Sequence, residues 1–194
     1  MRMTRVIAVL IALTATMCGH AKSAQSNDVN ARDLDCLAKN IYYEAASEPE
    51  EGKVAVGIVT LNRTQDSRFP GTVCGVVAQR KQKETAHQIT EITENVVYGI
   101  FRETVKTTKT VFKVVAVCQF SWQCMKVAPP KHNDARWTES LRVARELLEG
   151  GYSELKEKYA EALYFHNHRV KPLWAKQKNS VAVIGGHHFY ADLR

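Results

Sequence analysis

The clearest chemistry in this chain belongs to one glutamate, Glu44, at the end of an amphipathic stretch. Leu34, Leu37, Ala38, Ile41 and Ala45 recur at the i, i+3, i+4, i+7 and i+11 positions of one helical face. Glu44 follows Leu37 by two helical turns, which returns its carboxyl group to the apolar side. A carboxyl group there loses hydration, and a helix C-terminus adds an unfavourable dipole. Both effects raise its pKa, the condition for a general acid at neutral pH. A surface glutamate at a frayed helix end satisfies the same spacing, so periodicity alone leaves both readings open.

The elements that must position Glu44 can be read in order. Asn30, with Asp33 three residues on, is the expected N-cap of the first helix, which runs to about Ala46. Ser47, Pro49 and Glu50 form a helix-start pattern for a second helix carrying Val54, Ala55, Ile58, Val59 and Leu61. After the Phe69-Pro70-Gly71 loop, Thr72 to Gln79 begins a short element. Between Lys81 and Val117, Ile89, Ile92, Val96 and Ile100 keep a helical period, whereas Val111–Val117 is β-branched and strand-like. Residues 104–133 hold five lysines and no acid, either a positive wall for a cleft or a lysine-guarded edge strand. Cys118–Cys124 (CQFSWQC) is expected as a strand or hairpin with an aromatic tip. Asn133 or Asp134 should cap a helix carrying Trp137, Leu141, Ala144 and Leu148, closed by Gly150-Gly151. A short helical segment follows from Ser153, and strand-like runs fill Ala162 to Tyr190. No repeat or second domain is visible.

The chain has 194 residues, 45% of them hydrophobic and 24% charged, enough for one globular domain with its own core. The net charge of +7 favours an anionic partner. No nucleic-acid recognition motif accompanies it, so a nucleic-acid binder is not expected. Arg2 and Arg5 precede an apolar run from Val6 to Met17 and the small residues of GHAKSA, the pattern of a secretory signal peptide over residues 1–23. Cleavage after Ala21 or Ser23 fits, with a retained anchor as the rival. Twelve or so apolar residues fall short of the ~20 that span a bilayer. A polar leader, 24–29, would then precede a catalytic domain at 30–194, with an inserted segment at about 81–117. Beyond the signal, Cys36, Cys74, Cys118 and Cys124 are an even set, suited to disulfides in an oxidising compartment. Of the three possible pairings, the short Cys118–Cys124 loop is the easiest closure and leaves Cys36 with Cys74. The sequence does not choose among them. No CxxC pair favours zinc.

Several stretches together resemble the cell-wall hydrolase family of the spore cortex-lytic type. They are LDCLAKNIYYEAASEPEEGKVAVGIVTLNR, RFPGTVCGVV, CQFSWQC, ALYFHNHRVKPLWA and IGGHHFY, in the family's order from Leu34 to Tyr190. The departure is Lys81–Val117, some three dozen residues where the family passes quickly from the VV element to the Q-F-S strand. The resemblance implies an α+β, lysozyme-like fold, mainly helical with a small antiparallel sheet. It also implies peptidoglycan as substrate and Glu44 at the single essential glutamate position. The implied chemistry is lytic transglycosylation between N-acetylmuramic acid and N-acetylglucosamine, which one carboxyl group can perform. Ordinary glycoside hydrolysis generally uses two, and the candidates for a second are Glu48, Glu50, Glu51 and Asp66.

Supporting roles follow from spacing. Gln119 and Ser121 share one face of a strand and can hydrogen-bond glycan or steady Glu44. Tyr43 points about a hundred degrees from Glu44, so packing is its expected role. Trp122 or Trp174 can stack on a sugar, and His166 or His187 can bind substrate or orient neighbours. A rival amidase would hold zinc through His166, His168, His187 and His188, yet no HExxH or comparable set accompanies them. A non-catalytic peptidoglycan-binding protein is a further alternative. The expectation is an exported monomer in the periplasm, cell wall or medium, without metal or organic cofactor, touching membrane only through its N-terminal segment.

Overall fold

The computed structural model describes residues 29–96 and 102–193, so the expected signal peptide and all of the leader but Val29 lie outside the described residues. Helix α1 (Ala31–Ala45) begins as expected, with the Arg32 N–H donating to Asn30 Oδ1 at 2.9 Å. Its apolar face is buried against α2 (Glu50–Gln65), the short α3 (Val73–Val77) and α4 (Ala135–Leu148). The Ser47–Glu50 capping pattern does not form: Pro49 occupies the cap position of α2 and no side chain caps it. Glu50 is drawn away to Arg142 (2.7 Å) and Tyr152 (2.8 Å), so it cannot reach back to the turn. Asp134 does cap α4, accepting the Arg136 N–H, and α5 (Ser153–Lys158) follows the glycine pair.

Both disulfides are present, Cys36–Cys74 and Cys118–Cys124, with Cα separations of 5.3 and 5.8 Å. The first ties α1 to α3.

The inserted segment is a long antiparallel hairpin, β1 (Arg80–Val96) and β2 (Arg102–Cys118), in register from Arg80 opposite Cys118 to Val96 opposite Arg102. The helical period over Ile89–Val96 is therefore overridden. Thr85, Ile89, Thr90, Ile92 and Thr93 are β-branched and lose side-chain freedom in a helix, whereas the β-branched partner strand pairs with them readily. The ribbon also stands clear of the core: Val111, Phe112 and Val114 are exposed, so an amphipathic helix would have had nothing to pack on. Ile100 lies outside the described residues. Lys109 and Lys113 sit on this exposed ribbon, as the edge-strand reading had it.

After β2 the chain does not continue as a strand. A bend at Gln119-Phe120 leads into a 3-10 turn, Ser121–Cys124. The disulfide between Cys118 and Cys124 requires the chain to double back within six residues, which an extended strand cannot do. The second sheet has the order β3-β5-β4, built from β3 (Tyr164–Asn167), β4 (Lys178–Ile184) and β5 (His187–Asp192). Along β5, His187, Phe189 and Ala191 point into the core while His188, Tyr190 and Asp192 point outward. The architecture is the expected α+β arrangement, mainly helical with small antiparallel sheets.

Candidate active site

Helix α1 ends beside α2, the Gln119–Ser121 bend and the β3–β5 edge, and these bound an open cleft of about 560 Å³. Glu44 lies in it. Its carboxyl group makes no hydrogen bond or ion pair with any described residue, and loss of hydration pushes its pKa up to about 7, opposed by the Arg63 charge. The sequence argument for a desolvated carboxyl group is met by burial. Ala45 and Ile41 fill the core on the neighbouring face and leave Glu44 half-buried.

A chain of hydrogen bonds fixes the end of α1. Asn40 is fully buried, donates to Thr60 Oγ1 at 3.0 Å and accepts the Trp122 indole N–H at 3.2 Å. The α1–α2 pair and the 3-10 turn are thereby locked together next to Glu44. Trp122 does not line the cleft, contrary to its candidate role as a sugar-stacking wall. It stacks on Tyr43 instead, with ring centroids 4.5 Å apart. Tyr43, expected only to pack, does line the cleft and donates its hydroxyl to the Ala128 carbonyl at 2.8 Å.

Gln119, Ser121, His166 and His187 all line the same cleft as Glu44. The side chains of Gln119 and Ser121 make no hydrogen bond with any described residue and stand exposed. Both His166 nitrogens are engaged: Nδ1 lies 2.8 Å from the Asn167 carbonyl and Nε2 lies 2.9 Å from the Tyr190 hydroxyl. A carbonyl only accepts, so Nδ1 is the donor to Asn167. His187 is 5% exposed, and burial lowers its pKa. His166 stacks on His188 at 5.2 Å, and no three His, Cys, Asp or Glu groups among the described residues are placed to share a metal ion.

Arg63, which spacing did not single out, and Glu48, named only as one of four candidates for a second carboxylate, complete the site. Arg63 is only 2% exposed, donates from Nε to the Leu163 carbonyl at 2.8 Å, and lies over the rings of Phe69 and Phe120. Desolvation lowers its pKa to about 10. Asn62 beside it donates to the carbonyls of Tyr159 and Ala162, so this Asn-Arg pair grips the entry to β3. Glu48 is the other. Among the second-carboxylate candidates it alone lines the cleft: Glu50 pairs with Arg142, Glu51 with Lys158, and Asp66 with Arg68. Glu48 accepts the Gly186 N–H at 2.8 Å and lies 3.4 Å from His187 Nδ1. Among the described side chains, no lysine of residues 104–133 lines the cleft, and the arginines that do are Arg63 and Arg169. The positive-wall reading of that stretch finds no support in these side chains.

Residues 47–190 match the sequence profile of the cell wall hydrolase family. The chain belongs to that family. Among curated relatives, the spore cortex-lytic enzyme of Oceanobacillus iheyensis is 49% identical over 45 residues, 23% of this chain and 16% of that protein. The spore cortex-lytic enzyme of Bacillus subtilis is 47% identical over 45 residues, 23% of this chain and 15% of that protein. The matched stretch thus spans less than a fifth of either relative. Among solved structures, the catalytic domain of the germination-specific lytic transglycosylase SleB from Bacillus anthracis is 20% identical. It covers 84% of this chain and 98% of its own, with a TM-score of 0.49.

Proposed function

We propose that this family member is an exported, monomeric enzyme that cleaves the peptidoglycan glycan chain as a lytic transglycosylase, with Glu44 as acid and then base. The observation that carries the reading is the Glu44 carboxyl group, its pKa raised by desolvation to about 7, in an open cleft of about 560 Å³. Lytic transglycosylation, unlike ordinary glycoside hydrolysis, needs no second carboxylate. Protonated Glu44 donates to the glycosidic oxygen, and the bond from muramic acid C1 to that oxygen breaks, releasing the N-acetylglucosamine 4-hydroxyl. The muramic acid C6 hydroxyl oxygen bonds to C1, and its proton passes to Glu44. The product is a 1,6-anhydro end, water is not consumed, and Glu44 is again protonated. Arg63 supports the ionised intermediate state of Glu44 by its buried charge. Gln119, Ser121 and His187 line the cleft, and their polar groups would hold substrate there.

Hydrolysis is the second reading, and one observation favours it: Glu48 shares the cleft and could activate water. Its carboxylate is committed to Gly186 N–H and faces His187, which suits a structural clamp better than a free base. Clearing of purified wall suspensions tests the assignment. Glu44→Gln should abolish clearing, whereas Glu48→Gln should retain it at reduced rate. Equal loss in both would support hydrolysis through the pair. Because Glu44 must start protonated, kcat/KM should fall about tenfold per pH unit above about 7. A flat profile to pH 9 would contradict its role. The two disulfides accord with action outside the reducing cytoplasm.

A further inference from the structure

Beside the main cleft lies a smaller pocket of about 230 Å³, walled by Tyr164, Phe165 and Trp174 with Gln119, Arg63 and Lys178. It shares Arg63, Gln119 and Phe165 with the Glu44 cleft, so the two lie side by side. We propose that this pocket is a saccharide subsite in which Trp174 provides the stacking wall and Gln119 the hydrogen-bonding group. The proposal rests on the glycan-cleaving reading and adds to it the place where a sugar next to the cleaved bond is held.

The contrast between two tryptophans carries the argument. Trp122 is used up within the protein: one face is stacked on Tyr43 and its N–H is bonded to Asn40. Trp174 is not. It meets Tyr164, His166 and Tyr190 at interplanar angles of 45°, 76° and 83°, so no ring lies parallel on it. Trp174 is half-buried, and its indole N–H makes no hydrogen bond with any described residue. Those edge-type contacts fix the ring in place while leaving a face and a donor for a ligand. The Gln119 amide, with both donors and an acceptor, is likewise unbonded and lines both cavities.

Lys178 brings no unpaired charge to the pocket: it is paired with Asp192 and lies over the Tyr164 ring at 4.2 Å. Arg63 is held by the Leu163 carbonyl and two phenyl rings, with almost no surface exposed. An apolar ring face, a free indole N–H and a free amide match the alternating C–H face and hydroxyl or acetamido groups of an amino sugar.

The test uses Glu44→Gln protein, which binds without cleaving, titrated with N-acetylglucosamine oligomers and followed by tryptophan fluorescence. The fluorescence should change on binding, and adding Trp174→Phe should remove that change and weaken binding up to about tenfold. Gln119→Ala in the same background should weaken binding while the fluorescence change persists. Gln119 is exposed, so its variant carries no folding risk, and phenylalanine keeps the aromatic packing at position 174. In otherwise wild-type protein, Trp174→Phe should raise KM for peptidoglycan more than it lowers kcat. Unchanged titration of the Trp174→Phe protein, together with an unchanged KM, would overturn the subsite. Failure of wild-type protein to cleave peptidoglycan while Trp174-dependent binding persists would instead overturn the cleavage reading and leave the pocket standing.

Discussion

At the scale of single residues, the site depends on one carboxyl group kept from water. Raising the Glu44 pKa from 4.5 to about 7 means that the folded state binds this proton more tightly than the unfolded chain. The sign follows: full stability is present below pH 4.5 and is lost as pH rises through about 7. Glu44→Gln should therefore be more stable than wild type at pH 8, by about 1–3 kcal/mol, and nearly equal at pH 4. Thermal unfolding of the two proteins at both pH values checks this, and an unshifted difference would refute the desolvation account. Helical spacing is local and returned Glu44 to the apolar side, but burial is not local, so the sequence left the surface reading open beside the desolvated one. Arg63 and Glu48 were not placed by it, because each acquires its position from contacts about a hundred residues away or more, with Leu163 and Gly186. The contacts of Trp122 were hidden for the same reason: its partners Tyr43 and Asn40 are more than seventy residues distant.

At the scale of elements, the turn between β4 and β5 holds Glu48 in place. Gly185 has φ +54°, and a Cβ there would come within 1.9 Å of Glu48 Oε2 and 2.9 Å of Pro49 Cδ. Gly185→Ala should cost about 1–3 kcal/mol in stability, from left-handed backbone strain and from expelling the Glu48 carboxylate. Denaturant unfolding measures the loss, and a neutral substitution would contradict the tight approach. The Cys36–Cys74 link closes a separation of 38 residues, for which the chain-entropy relation gives about 4 kcal/mol. Replacing both cysteines by alanine should lower the unfolding midpoint accordingly, with loss of the docking of α3 on α1. Helix α1 and its Asn30 cap, α4 with Asp134, and the final strands could all be read locally from period and cap chemistry. The hairpin could not be read over its first strand: Ile89, Ile92 and Val96, three and four apart, satisfy a helix, and only pairing with β2 decides otherwise. The 3-10 turn at Ser121–Cys124 was hidden because its cause is a disulfide whose pairing the sequence left open.

For the whole molecule, the net charge of +7 and an exposed ribbon bearing lysines favour a polyanionic wall. Raising ionic strength from about 0.01 M to about 1 M shortens the Debye length from about 30 Å to about 3 Å. Pull-down of Glu44→Gln protein with purified wall should weaken over that range, and salt-independent binding would show that charge plays no part. The central claim is that Glu44 catalyses intramolecular closure of the muramic acid ring. Mass spectrometry of the soluble fragments released from purified peptidoglycan tests it most directly. Fragments ending in 1,6-anhydromuramic acid, present with wild type and absent with Glu44→Gln, are the predicted result. Reducing muramic acid ends, or intact glycan with freed stem peptides, would contradict it.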